Sequence, residues 1–263
     1  MAAKGKVKEK KHLVSLADED EVKDIVVNTI LGLWEAVNNL TRLRPSQQKR
    51  YMVTIFGSAR VPKESWVFGE VKRLARTLSE MGCDIVTGGG PGLMQAANEG
   101  AVESGRVDRS RSWGVRVDLP FEQDVNPFVE EAFEHRTFFT RLHQFVIMSD
   151  AFVVVPGGVG TALETLMIWQ LLQVRHLDGK TPLILIGEMY AELVEWARRY
   201  MLRPEFPLAS PEDMQIPLCL SGADEAIAVI AKHHSSWKKA QRRRKTVARG
   251  RSAQERVSHK GKP

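Results

Sequence analysis

The sequence predicts an α/β domain: a doubly wound parallel sheet with helices on both faces. Three observations carry that prediction. Short apolar runs such as Tyr51–Phe56 and Ala151–Val155 alternate with segments of helical period, and strands that alternate with helices form parallel sheets. Those runs are continuous rather than alternating in polarity, as expected of strands buried on both faces. Three of them end in glycine-rich turns that pass straight into helices, an arrangement that places ligands at the carboxyl edge of such a sheet.

Each element follows from its local pattern. From Asp18 to about Leu43, Val22, Ile25, Val26, Ile30, Leu33, Trp34, Val37 and Leu40 recur at helical spacing, so a long amphipathic helix ends before Pro45. With no strand before it, this helix is expected to pack on the outside of the sheet or on a second subunit. Tyr51–Phe56 is a strand broken by Gly57, and Trp66–Met81 a helix stopped by Gly82. Asp84–Thr87 is a short strand entering Gly88-Gly89-Gly90-Pro91-Gly92, and Leu93–Ser104 a helix stopped by Gly105. Ser112–Leu119 reads as a strand, residues 120–135 as a long loop, and Arg136–Met148 as a helix. Ala151–Val155 is a buried strand, followed by a helical stretch from Thr165 to Val174. Pro182–Ile186, Tyr190–Met201, Ile216–Leu220 and Asp224–His233 complete the alternation as strand, helix, strand and helix. No internal repeat or linker interrupts this series. The expected organisation is a basic N-terminus over 1–17, one domain over 18–234 (its helix at 18–43 and its core at 50–234), and a basic tail over 235–263.

Composition narrows the class. A hydrophobic share of 43% and a charged share of 27% are ordinary for a soluble globular protein, and no stretch approaches the length of a membrane span. The polar start, Met1-Ala2-Ala3-Lys4, lacks a secretory apolar segment. Cys83 and Cys219 lie far apart in apolar contexts, and are expected to be reduced thiols of a cytoplasmic protein. No Cys/His pair has metal-ligand spacing, and the adjacent His233 and His234 are expected to face solvent. The net charge of +6 is unevenly spread. Residues 235–263 hold eleven Lys/Arg and one acid, Glu255, so this segment carries +10 and residues 1–234 sum to −4. With so little apolar content the tail is expected to be disordered. It either makes weak, salt-dependent contact with nucleic acid or serves only to keep the chain soluble.

The chemistry concentrates at three turns. Gly57-Ser58-Ala59-Arg60, Thr87 through Gly92, and Pro156-Gly157-Gly158-Val159-Gly160-Thr161 all follow strands. Bare backbone N–H groups and the positive end of a helix dipole meet at such a turn, which suits phosphate. A glycine after a strand is also a common turn residue with no ligand at all. Neither glycine-rich loop is followed by the Gly-Lys-Ser/Thr of a P-loop, and neither fits a dinucleotide fingerprint.

Thr161 and Glu164 admit two readings. Thr-x-x-Glu is a capping box in which both side chains satisfy free N–H groups at a helix start. Alternatively a phosphate takes those N–H groups, and Glu164 is left free for chemistry on the sugar that bears the phosphate. Arg141, in Phe138-Phe139-Thr140-Arg141-Leu142-His143, either forms a salt bridge or holds an anionic ligand. His143 is either an acid/base or a packed histidine.

Taken together, Gly88-Gly89-Gly90-Pro91-Gly92-Leu93-Met94, Arg141 and Pro156-Gly157-Gly158-Val159-Gly160-Thr161-Ala162-Leu163-Glu164 resemble the Lonely Guy (LOG) family over roughly residues 50–234. Members of that family have carried the label "possible lysine decarboxylase". The stretch from Leu119 to Gln123, with Asn126-Pro127, is similar to a bacterial branch of the family. The resemblance implies a Rossmann-like fold. It also implies cytokinin riboside 5′-monophosphate phosphoribohydrolase activity, the hydrolysis of the N-glycosidic bond of a purine nucleoside 5′-monophosphate such as AMP to free base and ribose 5-phosphate. It places a catalytic pair on Arg141 and Glu164. Phosphate binding falls on Gly157, Gly158, Gly160 and Thr161, with Gly57, Ser58, Gly88, Gly89 and Gly90 lining the nucleotide site. It further implies no metal or organic cofactor, a nucleoside monophosphate substrate, a homodimer or higher homo-oligomer, and no membrane partner. Two positions depart from the family pattern: Leu142 where a lysine is frequent and Leu163 where a second acid is frequent. Decarboxylation would need a lysine placed to hold pyridoxal phosphate, and none stands out. A non-catalytic nucleotide or cofactor carrier of the same fold is the alternative.

Overall fold

The computed structural model describes residues 19–40, 50–105, 111–117 and 125–259. The chain divides into two units, Met1–Gln48 and Lys49–Pro263. The described part of the first is helix α1, Glu19–Leu40. The expected basic N-terminus and the family-like Leu119–Gln123 stretch lie outside the described residues.

The second unit holds a seven-stranded sheet among its described residues. In chain order these are β1 (Tyr51–Phe56), β2 (Cys83–Thr87), β3 (Ser112–Val117), β4 (Glu131–His135), β5 (Ala151–Val154), β6 (Leu183–Ile186) and β7 (Pro217–Leu220). Their spatial order is β4-β3-β2-β1-β5-β6-β7, and every pairing is parallel. Strand order therefore reverses between β1 and β5, paired with Val53 opposite Ala151 and Phe56 opposite Val154. Helices α2 (Trp66–Glu80), α3 (Leu93–Glu103) and α7 (Ala223–His259) pack on one face. Helices α4 (Phe138–Met148), α5 (Val159–Gln173) and α6 (Glu188–Met201) pack on the other.

Burial on both faces explains why β1 reads as a continuous apolar run. Tyr51, Val53 and Ile55 enter the α2/α3/α7 core, while Met52 and Phe56 enter the α4/α5/α6 core, as the two-residue side-chain period requires. Helix α2 buries Phe68, Val71, Leu74, Ala75 and Leu78, one stripe at helical spacing. Ser65 caps it, its hydroxyl accepting from the Phe68 N–H at 3.2 Å, one of the orphan donors of a helix start.

Three expectations are corrected. The segment 120–135 is not all loop, because β4 forms the sheet edge beside β3, with Trp113 opposite Glu131 and Val117 opposite His135. Glu131 through Glu134 are exposed, so no apolar pattern announces this strand, and its two glutamates suit an unpaired edge. His233 and His234 do not simply face solvent. Tyr51 and His233 share a 2.5 Å hydrogen bond between the phenol and Nδ1, and His234 is buried against Tyr51 and Trp237. Finally, α7 runs past its expected end near His233. Trp237 packs edge-on to Tyr51 and so joins the core. Beyond it, a run of Lys, Arg, Gln and Ala favours continued helix.

Candidate active site

The three glycine turns meet at the β1/β5 switch point. The first follows β1, the second β2 and the third β5, and backbone hydrogen bonds stitch them together. Ser58 donates its N–H to the Pro156 carbonyl at 3.1 Å, and Leu93 donates to the Ser58 carbonyl at 2.8 Å. Gly57, Ser58, Gly88, Gly89, Gly90, Gly157, Gly158, Gly160 and Thr161 thus surround one region of the carboxyl edge, where ligands bind in open α/β sheets.

The capping-box reading does not hold. Helix α5 starts at Val159 with Gly158 as its N-cap, and no side chain caps it. Thr161 is in the first turn and Glu164 in the second, too far along to reach the N-cap. Thr161 instead packs against Gly157: a Cβ at that glycine would collide with the Thr161 hydroxyl and Cβ, whereas nothing lies within 4 Å of a Cβ at Gly158 or Gly160. The N-terminus of α5 therefore keeps its free N–H groups and open space in front of them, as an anion site requires.

Arg141 and Glu164 come together across the site. Arg141 projects from α4 and Glu164 from α5, and each is only 8% exposed. Their nearest atoms, Nη1 and Oε1, are 3.6 Å apart, beyond ordinary hydrogen-bond length. Arg141 is anchored elsewhere: Nε donates to the Val115 carbonyl at 2.9 Å, and the guanidinium carbon lies 5.4 Å from the Phe145 ring centre. Its Nη2 lies against Gly88, where any Cβ would collide with it. The glycine after β2 thus makes room for the arginine four elements further on. Of the two readings of Arg141, the structure shows the ion pair.

Electrostatics single out the same pair. Burial pushes the Glu164 carboxyl up to about 7, even though Arg141 pulls it down. Tyr190 sits beneath, its hydroxyl donating to the Val155 carbonyl at 3.0 Å. Burial and then the Glu164 charge push its phenol up to about 12. His143 does not enter this pair, and its Nε2 is buried without a partner. Burial first, then the charges of Arg141 and His143, hold the His135 imidazole below its ordinary pKa.

The two departures from the family pattern take different places. Leu142 is buried on α4 at 7% exposure, while Leu163 on α5 is about half exposed.

Sequence reasoning missed the support of the second turn. Thr87 donates its hydroxyl to Asn98 Oδ1 at 2.6 Å and accepts from the Gly89 N–H at 2.9 Å. Asn98 reaches Ser112 Oγ at 2.7 Å. The Asn126 amide donates to Asn98 Oδ1 at 3.0 Å and to the Gly90 carbonyl at 2.9 Å. The signal was available: Asn98 stands among Leu93, Ala96, Ala97 and Ala101 on the buried side of α3, where an amide needs partners. Among the described residues no cluster of His, Cys, Asp and Glu could hold a metal ion, and no helix is long and apolar enough to cross a membrane.

Comparisons with known proteins bear on the family and the fold. Residues 94–230 match the family model described as "Possible lysine decarboxylase". A stretch of 141 residues, 52% of this chain, is 30% identical to the pyrimidine/purine nucleotide 5′-monophosphate nucleosidase of Escherichia coli K12. It covers 31% of that protein, so the chain spans about a third of the length of the curated relatives it matches. Among solved structures, the molybdenum cofactor carrier protein of Chlamydomonas reinhardtii superposes with a TM-score of 0.52 at 18% identity, over 71% of this chain and 99% of that one. The molybdenum cofactor binding protein of Rippkaea orientalis gives 0.53 at 17% identity, over 71% and 98%. At such identities these two share the fold alone. The family match spans just over half of the chain and takes in the Arg141 and Glu164 signatures, and the chain belongs to the LOG family, the group described as possible lysine decarboxylases.

Proposed function

We propose that this chain hydrolyses the N-glycosidic bond of a purine nucleoside 5′-monophosphate, adenine or an N6-modified adenine being the base, to free base and ribose 5-phosphate. The observation that carries the reading is the buried Arg141–Glu164 pair beside an uncapped helix N-terminus. The name of the Escherichia coli relative, a nucleotide 5′-monophosphate nucleosidase, supports the same class of reaction.

Each residue has a part that its position allows. The substrate phosphate docks at the N–H groups of the first turn of α5, in the space left open at Gly158 and Gly160. That anchors the ribose and spends binding energy remote from the reaction on orienting the sugar carbon. Cleavage of the glycosidic bond builds positive charge on the ribose. Glu164, as a carboxylate in a water-poor site, stabilises that charge and takes a proton from the attacking water. A carboxyl with a pKa near 7 is well placed to exchange protons at neutral pH. Arg141 holds the carboxylate in place and directs its free η donors at ribose or phosphate oxygens. No step of this route uses a metal or an organic cofactor.

The test is incubation with a panel of purine and pyrimidine nucleoside monophosphates, with free base read by chromatography. The expected result is base release from AMP or an N6-substituted AMP, lost in Glu164→Gln while nucleotide binding by calorimetry persists. Normal turnover by the Gln variant, or binding without any base release by the wild type, overturns the proposal.

A further inference from the structure

The two helical layers present different faces to water. On one side, α2 has the surface of a solvated helix: Glu70 pairs with Arg73, and Arg76 with Glu80. On the other, α5 carries a single charged residue, Glu164, which is buried, and it exposes Val159, Leu163 and Leu166. A helix that is apolar all round is a covered helix. No helix among the described residues is long and apolar enough to cross a membrane, so the outer surface of this layer calls for a protein cover.

Helix α6, in the same layer, specifies the cover. Tyr190, Val194 and Ala197 enter the core. At about 100° per residue, Met189, Leu193, Trp196 and Tyr200 form a second line, about 100° round the helix from the first. Met189, Trp196 and Tyr200 are each about half exposed, and the Trp196 and Tyr200 ring centres lie 5.9 Å apart. Steps of four, three and four residues are those of a helix–helix seam. Trp and Tyr are also the side chains that dominate binding once they are covered.

The charges of α6 are ordered along it. Glu188, Glu192 and Glu195 occupy its first half, Arg198 and Arg199 its second. The helix dipole accounts for acids in the first turn and cations in the last, but not for Glu192 or Glu195. Glu192 and Arg199, one heptad apart, flank the apolar line on the side away from the core. Both are exposed, and neither has an ion-pair partner among the described residues. Laid parallel to itself, α6 would set like charges together. Turned end for end, its acidic half meets a basic half, the self-complementarity that a two-fold pair requires.

We infer that the protein pairs with a second copy of itself across α6, the two helices antiparallel. Leu193 then packs against the partner's Trp196, Met189 against the partner's Tyr200, and Glu192 lies beside the partner's Arg199. Each contact occurs twice. Such interfaces need roughly 800 Å² from each copy, more than one helix of 14 residues gives, and the exposed apolar residues of α5 extend the surface on the same layer.

The test is sedimentation equilibrium of the full chain across a micromolar concentration range. Wild type should be a dimer. Trp196→Glu should be a monomer with an unchanged circular dichroism spectrum, since this side chain lies outside the core. Glu192→Arg and Arg199→Glu should each raise the dimer dissociation constant by about 10- to 100-fold, because each creates two like-charge contacts across the two-fold. The Glu192→Arg/Arg199→Glu double variant should return to within about 3-fold of wild type. Seven residues apart, about 10 Å along the helix, the two positions cannot compensate each other inside one chain, so rescue reports a contact between copies. A monomeric wild type, a dimer that survives Trp196→Glu, or a double variant no tighter than the single ones overturns the inference.

Discussion

The two edges of the sheet both bury titratable groups, and they treat them in opposite ways. At the amino edge, Asp84 is met by Arg50 Nε at 2.5 Å, the Arg111 N–H at 3.1 Å and the Trp113 indole N–H at 3.4 Å. Tyr51 bonds His233, and His234 Nδ1 stands 3.6 Å from Cys83 Sγ inside an aromatic cage. At the carboxyl edge, Glu164 is buried as well, yet Arg141, its charged neighbour among the described residues, stops at 3.6 Å. Fully partnered polar groups belong to the architecture. A buried carboxylate left short of donors raises its own pKa and destabilises the fold, which is the condition expected of groups kept for chemistry.

The largest expected effect tests that contrast directly. Glu164→Gln should lower base release by roughly 10²–10⁴-fold while making the protein more stable at alkaline pH. The carboxyl has a folded-state pKa of about 7 against an ordinary 4.5, raised on folding. Its contribution is therefore fully present below about 4.5 and lost as pH rises through 7. Thermal melts at pH 8 should show the Gln variant ahead by on the order of 3 kcal/mol, and melts at pH 4 should show no difference. Equal stability at both pH values would mean that the carboxylate is comfortably solvated and the contrast between the edges is false.

A smaller effect is expected at Gly88. Gly88→Ala places a methyl where Arg141 Nη2 lies, so the guanidinium must move. A displacement of about 1 Å at a reacting centre costs up to about 10²-fold in rate. Steady-state kinetics should show kcat falling by 10- to 100-fold, with thermal stability changed far less than the rate. An unchanged kcat would show that the position of the arginine does not matter to turnover.

The smallest effect lies at the amino edge. Burial first, then the charges of Lys238 and His233, depress the His234 imidazole to about 4 from an ordinary 6.5. A depressed base contributes stability that is present above 6.5 and lost as pH falls through 4. Its slope is opposite in sign to that of Glu164 over nearly the same range, so the two edges partly cancel in the wild type. His234→Gln should flatten the acid limb of the stability profile, measured by urea unfolding between pH 4 and 7, with no change in nucleotide turnover at neutral pH.

Much of this was legible in the chain before any coordinates. Apolar runs announced β1, β5 and β6 because both of their faces are covered. The three turns announced the site because glycines at strand ends leave open the space that other residues would fill. What stayed hidden had a common cause: it depended on neighbours distant in sequence. Glu131–His135 becomes a strand because β3 lies beside it, and nothing in its own polarity says so. The Thr87–Asn98–Asn126 network joins three segments, and only their assembly shows why an amide sits on the buried side of α3. The choice between capping box and anion site turned on where α5 begins. Gly158 settled that by taking the N-cap position three residues before Thr161.

The cross-links between the turns bear on how the protein can be cut and rejoined. Ser58 is tied on one side to Pro156 and on the other to Leu93, so a break after β1 would loosen all three anion-facing segments at once. New termini or inserted domains belong instead in the exposed stretch 203–207, which carries none of these ties.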